Sequence, residues 1–115
     1  MSGASVIELP ADGAPLRSER DILDVIVSAA LETDWIALPV SRLHADFFEL
    51  RNGVAGALLQ KAVNYRLNVA ILGDISDYVS RSESLAAFVR ESNRGRHVWF
   101  VPDRAALDAK LATGA

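Results

Sequence analysis

Three short segments of this chain carry side chains that could do chemistry. The first is Phe47-Phe48-Glu49-Leu50-Arg51-Asn52, followed at helical spacing by Lys61, Asn64 and Tyr65. Two rings, a carboxylate and several hydrogen-bonding groups make up the kind of set that anchors a protein partner. The second is Asp74-Ile75-Ser76-Asp77-Tyr78-Val79-Ser80. Its paired carboxylates could serve acid–base work or a hard cation, and the helix after it offers free N–H groups to an anion. The third is Glu91-Ser92-Asn93-Arg94-Gly95-Arg96, with Arg90 beside it. Here an arginine could hold an anion or reach back to Asp74 or Glu49. An enzyme built from this chain would have to bring Asp74, Glu49 or Glu91 together as acid and base.

Each feature also has an ordinary explanation. Glu49 in a first helical turn is favoured by the helix dipole, as are Lys61 and Arg66 near a last turn. Asn64 can cap a helix C-terminus, and Gly95 reads as a helix stop with positive φ. Lys61 and Tyr65, four apart, share a face. Gly53 and Gly56 inside a helix would each cost roughly 1 kcal/mol against alanine, which points to close packing on a sheet or to an irregular first turn. Adjacent Phe47 and Phe48 cannot both meet a core in the same way, so one is expected to be partly exposed. Asp74 and Asp77 also suit a turn followed by a helix cap. His44 reads as a solvated loop residue and His97 as structural.

Composition removes several function classes. The chain has 115 residues, 50% of them hydrophobic, no cysteine, two histidines and a formal net charge of −3. Disulfides, thiolate metal sites and cysteine nucleophiles are excluded. The acidic balance disfavours nucleic acid, and no apolar run is long enough to span a bilayer. No basic segment leads into an apolar run near Met1, so the expected location is cytoplasmic. Neither the Gly-x-Gly-x-x-Gly nor the Walker pattern occurs. No metal, cofactor or catalytic residue is assigned.

The elements that must position these side chains alternate. Val6–Leu9 reads as a strand, Pro10–Gly13 as a turn, and Ala14–Leu16 as a short return strand completing a hairpin. Ser18-Glu19-Arg20-Asp21 opens a helix as a capping box. Trp35–Val40 is a continuous apolar run suited to a strand covered on both faces, with pairing weakened near Pro39; Asn68–Leu72 reads as the next buried strand and His97–Val101 as another. Helices are expected over 47–66, from a second capping box at Ser80–Glu83 to Gly95, and from the Asp103 cap onward. Residues 1–115 are read as one domain with flexible ends at 1–4 and 113–115. The fold class is α/β, a mostly parallel four- to five-stranded sheet with an N-terminal β-hairpin and four helices.

Phe47-Phe-Glu-Leu-Arg51, Gly53-Val-Ala-Gly56, Gln60-Lys61, Asn64-Tyr-Arg66, Ala70-Ile-Leu-Gly-Asp74 and Glu91-Ser-Asn-Arg-Gly95 run in this order along the chain. In this they resemble the bacterial domain-of-unknown-function family 4180, which brings no established activity with it. The strand-loop-helix from Trp35 to Tyr65 and the ending Val98–Leu111 also look like parts of STAS domains, the fold of anti-sigma-factor antagonists. That likeness implies a non-enzymatic regulatory module with a protein partner, or self-association as a homodimer. No serine or threonine lies between Asp46 and Tyr65, so the phosphorylation switch of STAS domains has no acceptor at the matching place. The alternative expectation is a small-molecule or anion sensor at Gly73–Ser82.

Overall fold

The computed structural model describes residues 5–113. Four strands, β1 (Val6–Glu8), β2 (Trp35–Pro39), β3 (Val69–Leu72) and β4 (Val98–Val101), form one sheet in the order β1-β2-β3-β4, every pair parallel. The helices are α1 (Glu19–Ala30), α2 (Val54–Tyr65), α3 (Ser76–Ser80), α4 (Glu83–Arg94) and α5 (Arg104–Ala112). When each strand is added beside the last, right-handed crossovers all fall on one face. Accordingly α1, α2 and α4 cover the face carrying Ile36, Leu38, Val69, Ile71, Val98 and Phe100. Side chains alternate along each strand, so Trp35, Ala37, Ala70, Leu72, Trp99 and Val101 point the other way, to Leu107 of α5. Trp35 and Trp99 stack there with centroids 4.2 Å apart.

Local chemistry sets the helix ends. Ser18 Oγ accepts from the Asp21 N–H at 3.1 Å while the Asp21 carboxylate accepts from the Ser18 N–H, closing the capping box. Asp103 accepts from the Ala106 N–H at 2.8 Å to start α5. The box at Ser80–Glu83 is displaced: Ser82 caps α4, accepting from the Leu85 N–H, and Ser80 donates to the Asp77 carbonyl. The segment read as an Asp-rich loop is itself largely a short helix, α3. Pro39 stays in register opposite Leu72. The side that lacks its N–H faces β1, where pairing ends with Leu9 donating to the Ala37 carbonyl.

Three expectations are corrected. The N-terminal hairpin does not form. Leu16 instead bridges Leu43 in parallel, because the buried Arg42 holds the segment across the top of β2, donating to the Ala14 and Pro10 carbonyls. The helix over 47–66 is broken into 3-10 turns at Ala45–Phe48 and Leu50–Asn52 before α2 begins. Gly53, at φ 82°, makes that break in the left-handed region that glycine tolerates best. Gly95 ends α4 at φ −85°, extended rather than left-handed. The flexible ends expected at 1–4 and 113–115 lie outside the described residues except for Thr113, whose hydroxyl donates to the Lys110 carbonyl.

Candidate functional site

Residues that follow a strand and residues that precede one lie at opposite ends of a parallel sheet. The segments after β2 and β3 therefore meet at the C-terminal end, while those before β4 sit at the other. At the C-terminal end a cleft of about 340 Å³ is lined by Ala45, Phe48, Glu49, Tyr78, Arg81 and Ser82. It joins two of the three segments singled out in the sequence.

Its floor is aromatic. The 3-10 turn Ala45–Phe48 advances about 120° per residue, which lets Phe47 turn inward and Phe48 turn toward α3. Both are buried, at 1% and 6% exposure, and they meet edge to face at 5.1 Å. The partly exposed anchor expected at this pair is absent. Phe48 instead stacks on Tyr78 at 4.2 Å and 15°. Arg81, one turn along from Tyr78, sits 5.6 Å from that ring's centroid, a cation–π arrangement. Its Nε donates to the Asp77 carbonyl at 3.0 Å, which fixes the guanidinium. Among the described residues Arg81 has no carboxylate within ion-pair distance. Glu49, on the same cleft, pairs with Arg51 at an exposed 3.7 Å. The cleft thus presents a fixed guanidinium, a carboxylate and an aromatic surface.

The remaining expected residues divide. Asn52 is structural: its amide donates to the Asp46 carbonyl at 2.7 Å and its oxygen accepts from the Val54 N–H, starting α2. Gly56 is exposed, and a Cβ built there would meet nothing within 4 Å, so close packing on the sheet does not explain it. Lys61 lies 5.7 Å from the centroid of the exposed Tyr65 ring. Asn64 is exposed and does not cap α2. Arg66 does, at φ 56°, and Leu67 closes the turn by donating to the Ala62 carbonyl. Asn93 uses its amide on the open edge of β4, accepting from the Phe100 N–H at 2.7 Å and donating to the Phe100 carbonyl at 3.2 Å. Arg94 pairs with Glu91 at 3.2 Å, at the end of the sheet away from Asp74 and Glu49.

Asp74 opens a separate, shallower pocket with Gly73, Ser76, Val79 and Phe100 on the far side of α3. Gly73 packs so closely on Val40 that a Cβ would lie 2.5 Å from its Cγ1. The Ser76 hydroxyl, and after it the Ser76 N–H, hold the Asp74 carboxyl below its ordinary pKa; the N–H bond, at 2.9 Å, is the well-formed one. Glu49, Asp74 and Glu91 line three different cavities, so no acid–base constellation assembles from them. Among the described residues no three His, Asp or Glu side chains gather as a metal site would require. No described helix is long and apolar enough to cross a membrane.

Sequence reading missed Arg81. Its signal was there, an arginine three residues after a tyrosine, but the spacing gains meaning only once Tyr78 is known to be helical. No curated protein and no solved structure matches the chain significantly. The sequence does match, over residues 1–111, the family described as Domain of unknown function (DUF4180), and the chain belongs to that family.

Proposed function

We propose that this protein is a non-enzymatic, ligand-responsive regulatory module of the bacterial cytoplasm. Its ligand is a small molecule with an anionic group and a planar or apolar body, held in the cleft between Ala45–Glu49 and Tyr78–Ser82. The observation that carries the reading is the Phe48–Tyr78 stack with Arg81 over it and, among the described residues, no carboxylate within ion-pair distance of that arginine. A guanidinium beside an aromatic face suits a carboxylate or phosphate joined to a flat group, even at an exposed position such as that of Arg81. Glu49 across the cleft disfavours highly charged anions and favours a ligand that also carries an ammonium or a donor group. The likeness to STAS domains enters as part of this proposal. With no serine or threonine from Phe47 to Asn64, a bound ligand would stand where phosphorylation stands in those domains.

The test is isothermal titration and thermal shift with a panel of amino acids, aromatic carboxylates and phosphate monoesters. A compound should bind wild type saturably and lose at least tenfold in affinity to Arg81→Gln. A panel without such a compound, or one whose members bind both proteins alike, removes the reading.

A second reading has its own observation. Leu31, just past the end of α1, is 85% exposed, and Tyr65 is 64% exposed on α2. Large exposed apolar side chains favour a protein partner or a second copy of the chain. Phe47 and Phe48, being buried, would not be its anchors. Sedimentation of wild type against Leu31→Ser tests the homodimer form of this reading, which requires wild type alone to associate.

A further inference from the structure

The seam between α2 and α4 opens, at the end of the sheet opposite the cleft, into another cavity of about 280 Å³. Leu59 and Val63 of α2, Phe88 of α4 and Val98 of β4 give it apolar walls. Ser92 lines it as well. That serine is 4% exposed, and its Oγ has no hydrogen-bond partner. A helical serine can usually turn back to the carbonyl four residues earlier, and Ser92 makes no such bond. A buried hydroxyl left unpaired is costly, and a ligand or an ordered water would each relieve that cost.

The rim adds charge. Arg96 lines the cavity, is exposed, and has no carboxylate within ion-pair distance among the described residues. Glu91, also at the rim, is taken up by Arg94 at 3.2 Å. His97 is within hydrogen-bond distance of the Leu67 carbonyl through Nδ1, at 2.9 Å, and a carbonyl can only accept, so the ring proton belongs on Nδ1. The cavity therefore combines apolar walls, one orphan hydroxyl and one free guanidinium.

We propose that this cavity binds an amphipathic carboxylic acid. The apolar body lies against Leu59, Val63 and Phe88, the carboxylate faces Arg96, and Ser92 Oγ, sealed from the cavity in this structure, turns about its one side-chain torsion to donate to it. An engineered apolar cavity of roughly 150 Å³ holds benzene, so about 280 Å³ admits a short acyl chain or a fused aromatic ring. The site is separate from the Arg81 cleft and stands or falls independently of it.

The probes are hexanoate and hexan-1-ol, titrated against the full chain with methyl groups observed by NMR. Hexanoate should shift the Leu59, Val63 and Val98 methyls saturably. Ser92→Ala, which removes only an unpaired hydroxyl and should fold, should weaken hexanoate about tenfold. Arg96→Gln, at an exposed position, should weaken hexanoate by a similar factor and leave hexan-1-ol unchanged. The proposal is overturned if neither probe moves these methyls saturably. It is equally overturned if hexanoate binding is indifferent to both substitutions, or if the shifts fall around Tyr78 instead.

Discussion

The two faces of the sheet are closed by different means. On one, α1, α2 and α4 lie side by side over Ile, Leu, Val and Phe side chains. On the other, nine residues of α5 and two stacked indoles suffice. Helices are cylinders, and neighbouring cylinders leave seams at their ends. The 340 Å³ cleft and the 280 Å³ cavity both lie on the three-helix side, one at each end of the sheet. The indoles fill space that further helices would otherwise have to cover: Trp99 is buried against Trp35, its Nε1 donates to the Gly95 carbonyl, and Lys110 sits 4.5 Å over its ring. One face is thus filled by large side chains and the other retains clefts between its helices.

Trp99→Ala breaks this contrast most severely. Emptying a buried tryptophan site costs about 3–5 kcal/mol, and α5 would lose much of what it rests on. Urea unfolding measures the loss. The methyl signals of Leu59 and Val63 should stay in place in the fraction that remains folded, because they belong to the other face. A cost below about 2 kcal/mol would mean that the indole pair is not what closes this side.

Asn93→Ala ranks next. Its amide serves both backbone groups of Phe100 on the exposed edge of β4, and Pro102, just beyond, has no N–H to offer. Losing these two part-buried hydrogen bonds costs about 2 kcal/mol. It also opens a strand edge to pairing with another chain. Denaturant unfolding should report the first effect, and concentration-dependent light scattering the second. A stability loss without association would show that the edge is protected by something besides this amide.

Tyr78→Ala has a smaller effect on the fold and a larger one on the cleft. Loss of an aromatic pair at a half-buried site removes about 1 kcal/mol, while the ligand surface beside Arg81 disappears. Stability and affinity should therefore part company: a modest shift in unfolding midpoint alongside abolished binding of any compound selected by the Arg81 test. Equal losses in both would make Tyr78 a packing residue only.

The sequence makes the framework readable where a signal is local. Trp35–Val40, Val69–Leu72 and Val98–Val101 are apolar throughout because both sheet faces are covered, and they contain the three longer strands. Ser18 and Asp103 announce their helices because capping acts within three residues. What stayed hidden depends on partners far along the chain. The hairpin fails because Arg42 reaches 28 residues back to Ala14. Phe48 becomes the floor of a cleft only because Tyr78, thirty positions later, lies flat on it. Asn93 looks like a surface amide until the open edge of β4 is placed beside it. Side-chain chemistry was visible in each case, while its partner was a matter of topology.

The smallest expected effect lies at Asp74, on the loop that leaves β3 for α3. Its carboxyl is held low by the Ser76 hydroxyl and the Ser76 N–H, which prefer the ionised form. A carboxyl whose folded pKa lies below its unfolded value adds stability above the unfolded value and loses it as pH falls through the folded one. Acid should therefore loosen this turn first, before the buried faces respond. Carboxyl carbon NMR across the acid range should place the Asp74 midpoint below that of an unstructured aspartate. Ser76→Ala, which removes the hydroxyl and keeps the N–H, should move it part of the way back up. A midpoint unchanged by that substitution would assign the whole effect to the 2.9 Å backbone bond, so that the turn geometry alone, and not the serine, sets the charge at this corner of the sheet.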